Sequence, residues 1–314
     1  MGVSLAVRFL NWWPHFQPDQ SFVYQLLSRA VDDSLVVVDD RKAHVDIEAH
    51  SVFTSEGFLS PNSLLRLGAK LGLGSFHNWR LSNDYGIGAL GPAGRYLWYT
   101  GENLRPPTGW DATLSFDLDS FSGTNFYLPH WAIRTTDLGW RDPNDPMSTG
   151  SSTLMSPRDS RPKPERFACL LASNPHPMRD RLVKELRSVG DVDLFGRAYD
   201  RPVQSKADLL SQYRYVICPE NDLYPGYVTE KAIEAWVAQT VPIWWGLDPV
   251  GYLNPGAMVN AATTSVDGLA EFLIAVEEKP GAWEEIYCRP ILRKRFDYEA
   301  CIDFLRRQLT SVSR

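Results

Sequence analysis

Two cations stand at predicted helix starts in the second half of this chain, and a carboxylate accompanies one of them. Arg179 falls in the first turn of the helix predicted after "ASNPHP", and Lys231 follows Glu230 where "TEKAIEAWVAQ" begins another helix. The helix dipole disfavours a cation at this end and favours a carboxylate. A cation held there is explained if it helps the helix end to bind an anion such as a diphosphate.

Taken singly, each cation is more simply a solvated surface charge. Two of them in matching strand-to-helix loops favour a phosphate site instead, because ligands of doubly wound sheets bind beyond the carboxyl ends of the strands. A third loop of this kind, "YTGEN", carries Glu102 directly after a predicted strand. We therefore expect the functional residues to lie in these three loops.

The elements that position these loops form two series of alternating strands and helices. The first half contains strands in "VSLAVRFL", "SLVVVDD" and "RYLWYT", with a helix in "DQSFVYQLLSRAV". The second half contains strands in "FACLLAS", "DVDLFG", "YRYVIC" and "VPIWWG", separated by helices in "PMRDRLVKELRSVG", "KADLLSQY" and "TEKAIEAWVAQ". This alternation predicts an α/β protein with two doubly wound, Rossmann-like domains.

The segment between the two series is dense in Pro, Ser, Asp and Arg, which predicts a linker or a long surface loop at 136–165. The N-terminal domain is then 1–135 and the C-terminal domain 166–314. The chain ends in an amphipathic helix, "FDYEACIDFLRRQL". We count this helix with the C-terminal domain, although it is free to pack back on the N-terminal one.

Composition argues against several classes of partner. The chain has 314 residues, a net charge of −6 and no broad basic field of the kind that binds nucleic acid. Its four cysteines form no CxxC pair, so neither a zinc site nor a disulfide framework is indicated. The apolar N-terminal run is broken by Asn11 and Pro14, and we expect no signal peptide and no transmembrane segment.

Two further patterns resemble ligand-binding motifs. "GIGALG", with Gly86, Gly88 and Gly91, matches a dinucleotide-binding pattern, but no apolar strand precedes it and a proline follows where a helix should start. We therefore do not expect a nucleotide loop there. "DLD", from Asp117 to Asp119, could hold a divalent ion, but the alternating "TLSFDLDSF" around it also fits an exposed strand edge, which we favour.

The segment "LSQYRYVICPENDLYPGYVTEKAIEAWVAQTVPIWWG" resembles the signature block of the α-1,3/1,4-fucosyltransferases, in particular the bacterial enzymes. The elements "EN", "GYVTEK" and "VPIWWG" have the order and spacing of that family. The likeness extends through "ASNPHPMR", "RYLWYTGEN" and "NWW", and more loosely through "FDYEACIDFLRRQ". It implies the GT-B architecture, in which two Rossmann-like domains face a cleft and the C-terminal one holds most of the nucleotide sugar.

The resemblance also implies roles for individual residues. Glu102 would act as the general base on the acceptor side. Arg179 and Lys231 would bind the diphosphate of GDP-fucose, and Glu230 would bind hydroxyl groups of the ribose or the sugar. The other residues that it places in the donor pocket are Glu220, Asn221 and Tyr227.

The activity that the resemblance implies is inverting transfer of L-fucose from GDP-fucose to a glycan that contains N-acetylglucosamine, with α-1,3 linkage. No metal or other cofactor is expected to be required, although divalent ions could stimulate the reaction. This sequence shows neither the heptad-repeat or basic amphipathic tail of some bacterial members nor the N-terminal anchor of the animal members. We therefore expect a bacterial-type, cytoplasmic enzyme and do not expect peripheral membrane contact. The sequence leaves open another GDP-sugar as donor, a non-catalytic protein that binds a nucleotide sugar or a glycan, and, more remotely, a dehydrogenase.

Overall fold

A computed structural model describes residues 4–12, 16–31, 35–52, 90–106, 108–139 and 147–310. The chain divides into two compact units, one formed by Met1–Pro129 with Asp297–Arg314 and the other by His130–Phe296. Each unit contains its own sheet, and every strand pairing within the two sheets is parallel. The predicted α/β class with two doubly wound sheets is therefore confirmed.

The described residues contain the following elements. The strands are β1 (Leu5–Leu10), β2 (Leu35–Val37), β3 (Val45–His50), β4 (Ala93–Tyr99), β5 (Ala112–Ser115), β6 (Asn125–Tyr127), β7 (Arg166–Leu171), β8 (Val192–Phe195), β9 (Tyr213–Ile217), β10 (Val241–Trp244) and β11 (Val259–Asn260). The α-helices are α1 (Phe22–Ala30), α2 (Ser151–Leu154), α3 (Pro177–Leu186), α4 (Lys206–Leu210), α5 (Lys231–Val237), α6 (Leu269–Glu278), α7 (Ala282–Tyr287) and α8 (Tyr298–Thr310). No helix among them has the length and apolar character needed to cross a bilayer.

The first unit has a six-stranded sheet in the order β2-β1-β3-β4-β5-β6. Ser21 caps the start of helix α1, because its hydroxyl accepts a hydrogen bond from the Tyr24 N–H at 3.1 Å. The helix buries one apolar face. The C-terminal helix α8 packs on α1, with the rings of Phe22 and Tyr298 6.1 Å apart. The terminal helix thus belongs to the first unit, which differs from the predicted boundary of the C-terminal domain at 166–314.

The last glycine of "GIGALG" contributes to the core of the first unit. Gly86 and Gly88 lie outside the described residues. The Gly91 N–H donates to Glu48 Oε1 at 3.0 Å, and a side chain at this position would collide with the guanidinium of Arg8. Arg8 and Glu48 form a fully buried ion pair. Close approach to this ion pair accounts for the glycine at position 91 without any nucleotide.

The prediction that "DLD" is an exposed strand edge is wrong. Strand β5, which precedes this motif, lies between β4 and β6 in the sheet. Asp117 is buried and forms an ion pair with Arg105, whereas Asp119 is exposed. The alternation of apolar and polar residues reflects a covered strand followed by a turn.

The second unit has a five-stranded sheet in the order β11-β10-β9-β7-β8. Its core is built from the apolar faces of β7, β9 and β10 and of helices α3, α6 and α7. The chain passes from β7 to β8 on one side and then returns to β9 on the other. The carboxyl ends of β7 and β9 therefore form the topological switch point, where doubly wound sheets bind their ligands.

The predicted linker at 136–165 is part of the second unit. Within its described residues, Met147 and Leu154 are buried, and Thr149 forms a parallel bridge with Thr135. The segment contains only scattered apolar residues, so its sequence has no helical or strand periodicity. It is nevertheless packed, because its contacts come from single buried side chains rather than from one amphipathic face.

Arg158 is the central contact of this segment. Its Nε donates to the Tyr287 carbonyl at 2.8 Å, and its Nη1 donates to the Trp236 carbonyl at 2.7 Å and the Thr240 carbonyl at 3.2 Å. The guanidinium also lies 3.8 Å from the centre of the Tyr287 ring. Burial lowers the pKa of Arg158 to about 10, so the group stays charged at neutral pH. It satisfies carbonyls at the ends of α5 and α7, where the helix dipole favours a cation.

We expect Arg158→Leu to lower the free energy of unfolding by about 3 kcal/mol, because several buried carbonyls lose a charged donor. Urea denaturation followed by circular dichroism measures this change. Arg295→Leu removes an exposed arginine of the same unit and is the matched control. Equal losses in the two variants would show that Arg158 does not fix the segment.

Candidate active site

A pocket of about 210 Å³ lies at the carboxyl ends of β7 and β9 in the second unit. This position is the topological switch point of the sheet. Apolar lining residues include Leu170, Leu210, Val216 and Ala235. The polar lining residues are Ser173, Asn174, Arg179, Lys206, Glu230 and Lys231. Apolar walls with a few convergent polar or charged groups are typical of small-molecule sites.

Arg179 is fixed in the first turn of α3. Its guanidinium donates to the Asn174 carbonyl, and its Nη2 donates to Asn221 Oδ1 at 3.2 Å. His176 caps this helix by accepting the Met178 N–H at Nδ1 over 3.2 Å. Burial, and then the charge of Arg179, lower the pKa of His176, which keeps Nδ1 available as an acceptor. The loop after β7 thus holds a cation at the pocket through its own backbone.

Lys231 is fixed by a buried carboxylate. Glu220 is 0% exposed and accepts four hydrogen bonds, from Thr229 N at 2.8 Å, Thr229 Oγ1 at 2.6 Å, Lys231 Nζ at 3.0 Å and Trp244 Nε1 at 3.1 Å. Burial alone would lower the pKa of Lys231, but the charges of Glu220 and Glu230 outweigh it and raise this pKa. Lys231 therefore remains a cation in a half-buried position.

The predicted donor-pocket residues do not all line the pocket. Arg179, Glu230 and Lys231 line it, and Asn221 lies beside it as a partner of Arg179. The prediction that Glu220 and Tyr227 line the pocket is not met here, because Glu220 is 0% exposed and Tyr227 is 2% exposed. Both follow β9 in the sequence, as a pocket residue would, but their side chains turn into the core.

The sequence patterns did not reveal a set of acidic and basic side chains that pair beside the pocket. Glu230 and Glu234 lie one helical turn apart, and a short 3-10 helix that spans His130–Arg134 offers partners at the same spacing. His130 Nδ1 lies 2.9 Å from Glu230 Oε2, and Arg134 Nη2 lies 3.8 Å from Glu234 Oε1. Two like charges at i and i+4 destabilise a helix unless a partner neutralises them. That spacing was the available signal for these partners.

The two carboxylates have different electrostatic environments. Burial would raise the pKa of Glu230, but the hydrogen bond and charge of His130, together with Lys231, hold it well below its ordinary value. Burial raises the pKa of Glu234, which also contacts Lys206. Glu230 is therefore an anion on the pocket wall.

Glu102 lies in the first unit, in the turn directly after β4. Its N–H donates to Thr100 Oγ1 at 3.0 Å, and its carbonyl accepts the Leu104 N–H at 2.7 Å. Leu104, at the end of this turn, packs with Trp98 and Trp110 in a small buried cluster. The side chain of Glu102 is half-buried, and its carboxylate makes no hydrogen bond or ion pair within the described part of the chain.

The two parallel α/β units, one of them with a charged pocket at its switch point, can be compared with solved structures. A crystal structure of an α1,3-fucosyltransferase matches the chain with a TM-score of 0.69 at 21% identity, over 99% of this chain and 91% of that one. Another, with GDP-fucose, matches with a TM-score of 0.65 at 18% identity, over 100% of this chain and 93% of that one. These likenesses support the GT-B fold.

Residues 161–289 match the family "Glycosyltransferase family 10 (fucosyltransferase) C-term". These residues thus resemble the C-terminal domain of that family, and the resemblance predicted from the sequence is confirmed. The alpha-(1,3)-fucosyltransferase FucT of Helicobacter pylori is 38% identical over 107 residues, which cover 32% of this chain and 22% of the relative. A 4-galactosyl-N-acetylglucosaminide 3-alpha-L-fucosyltransferase of Pan troglodytes is 26% identical over 216 residues, 64% of this chain and 56% of the relative. The aligned part thus spans little more than half of these relatives at most.

We expect Glu220→Gln to lower the free energy of unfolding by about 3 kcal/mol. All four partners of Glu220 donate hydrogen bonds, so an amide NH2 group would face a donor, and Lys231 would lose its buried counter-charge. Urea denaturation measures the loss, with Glu278→Gln as an exposed control. If Glu220 instead bound a ligand directly, nucleotide affinity would fall while stability stayed unchanged.

Proposed function

We propose that this chain is an inverting α-1,3-fucosyltransferase, which transfers L-fucose from GDP-fucose to a glycan that contains N-acetylglucosamine. The observation that carries the proposal is the switch-point pocket with Arg179 and Lys231 on its wall. The family of residues 161–289 supports fucosyl transfer, and a similar fold was solved with GDP-fucose. The name of one relative contains a galactosyl-N-acetylglucosaminide acceptor, which supports the acceptor class.

The pocket suits the diphosphate of a nucleotide sugar. Arg179 and Lys231 are both held in place before any ligand binds, Arg179 by the loop after β7 and Lys231 by Glu220. Fixed charges of this kind stabilise negative charge that develops on a leaving group, and they need no reorganisation during the reaction. Glu230 would accept hydrogen bonds from ribose or sugar hydroxyl groups. We propose that transfer needs no metal ion, although divalent ions could stimulate it.

The proposed chemistry is a single displacement at the anomeric carbon of fucose. The acceptor hydroxyl oxygen forms a bond to that carbon while the bond from the carbon to the diphosphate oxygen breaks. GDP leaves with the electron pair of the broken bond, and Glu102 takes the proton of the hydroxyl group. The carboxylate of Glu102 suits this role because the described residues leave its oxygens without partners.

The cytoplasmic location of the protein stays a prediction.

We expect GDP-fucose to raise the midpoint of thermal unfolding in the presence of EDTA, and UDP-galactose and NAD to leave it unchanged. A ligand at about a hundred times its dissociation constant adds about 2.7 kcal/mol to the stability of the protein. Lys231→Ala should abolish the shift, because it removes a cation from the proposed phosphate site. Lys184→Ala, an exposed lysine on α3, is the charge-matched control.

Other outcomes of this experiment separate the alternatives. A larger shift with GDP-mannose than with GDP-fucose would indicate that the donor sugar is mannose and not fucose. A shift with NAD alone would contradict the transferase proposal. A shift that appears only without EDTA would contradict metal-independent donor binding.

We expect Glu102→Gln to reduce fucosyl transfer by about 100- to 10,000-fold, because an amide cannot take the acceptor proton. Binding of GDP-fucose should be unchanged, since Glu102 belongs to the first unit and the donor pocket to the second. Transfer to N-acetyllactosamine with labelled GDP-fucose measures the effect, with the exposed Glu299→Gln as control. Near-normal turnover would exclude Glu102 as the base. A wild-type chain that binds GDP-fucose but transfers to no glycan would favour the non-catalytic binding protein.

A further inference from the structure

A third cation lines the pocket beside Arg179 and Lys231. Lys206, the first residue of α4, contributes to the same wall, and its side chain is 40% exposed. Lys206 is therefore more accessible than Lys231, whose side chain is 21% exposed. Three cations and one carboxylate, Glu230, thus provide the charged side chains that line this pocket among the described residues.

The resting partner of Lys206 is a buried carboxylate. Its ammonium contacts Oε2 of Glu234, which is 9% exposed and projects from the middle of α5. The other oxygen of Glu234 faces Arg134, with Nη2 3.8 Å from Oε1. Glu234 therefore keeps a cationic partner on one oxygen whatever Lys206 does. Arg134 can thus neutralise Glu234, and this carboxylate does not explain why a lysine is exposed at the pocket.

The arrangement repeats the geometry of Lys231. In both cases a cation on the pocket wall rests on a buried carboxylate that has at least one further cation or donor as a partner: Glu220 has Thr229 and Trp244, and Glu234 has Arg134. An ammonium group carries three N–H donors. One donor can stay on the carboxylate while the others bind an anion, so ligand binding leaves no buried charge unpaired.

We propose that Lys206 is a third cation of the donor pocket, which binds the diphosphate of a nucleoside diphosphate together with Arg179 and Lys231. This inference rests on the proposed nucleotide pocket, but not on the identity of the base or of the sugar. Its requirement is only that an anionic diphosphate occupies the wall that the three cations share.

Calorimetric titration with GDP tests the inference. Loss of a hydrogen bond to a charged group predicts binding to Lys206→Gln that is about ten- to a hundredfold weaker than to the wild type. Lys206→Arg keeps the charge and should bind GDP nearly as well as the wild type. Guanosine has no phosphate, so its affinity should be the same in all three proteins. Lys184→Gln, with the same change of charge on an exposed part of α3, should bind GDP like the wild type.

A double-mutant cycle separates ligand contact from a purely structural role. If Lys206 acts only by neutralising Glu234, then Lys206→Gln should cost no GDP affinity in a Glu234→Gln background. If Lys206 contacts the diphosphate, the same loss should persist in that background. Thermal midpoints of the four proteins without ligand show how much each change disturbs folding.

The outcomes distinguish this inference from the proposed function. Wild-type GDP affinity in Lys206→Gln, or an equal loss for GDP and guanosine, would overturn the role of Lys206 and leave the proposed function standing. If the wild type binds ADP or UDP but not GDP, the proposed donor is wrong, and the nucleotide that binds replaces GDP in the same cycle. If the wild type binds no nucleoside diphosphate, both are overturned.

Discussion

The buried contact between Glu220 and Lys231 is the interaction on which the candidate site depends. A carboxylate with no exposed surface has a large desolvation cost, which only a full set of donors can offset. Glu220 has that set, because it joins the loop after β9, the start of α5 and the side chain of Trp244 on β10. The same contacts that satisfy the carboxylate also fix the ammonium of Lys231 at the pocket.

Helix α5 extends this arrangement to a second charged layer. Glu230 and Glu234 lie on successive turns, and basic side chains from the His130–Arg134 helix and from α4 contact them. Each carboxylate is less exposed than the basic side chain that it contacts. Pairing of this kind lets several ionisable groups share a small, partly buried volume. Lys206 and Lys231 line the pocket wall, where an anion can reach them.

The sequence predicts which cations lie in the loops of the pocket, but it does not predict whether each neighbouring side chain points to the pocket or to the core. Arg179 and Lys231 stand in the first turn of a helix after a strand, and that position alone places them at the carboxyl edge of the sheet. Glu220 and Tyr227 lie in the same kind of loop, yet their side chains are buried, because local sequence does not fix which way an irregular loop turns. Arg158 and His130 depend on contacts with residues about 80 to 130 positions away, and no local periodicity encodes them. Strand β3 was missed for a related reason, since its Glu48 and His50 are buried polar residues.

The two kinds of carboxylate in this chain differ in a way that suits different chemistry. A carboxylate that positions a cation is most effective when donors occupy both of its oxygens, as in Glu220. A carboxylate that removes a proton needs an oxygen with a free lone pair, because a saturated one would have to break a hydrogen bond first. Glu102, within the described residues, has a fixed backbone and an unpaired side chain. The turn that carries Glu102 is held by the packing of Leu104 against Trp98 and Trp110. This arrangement supports the proposed role of Glu102 as the base, because it positions the residue without occupying its carboxylate.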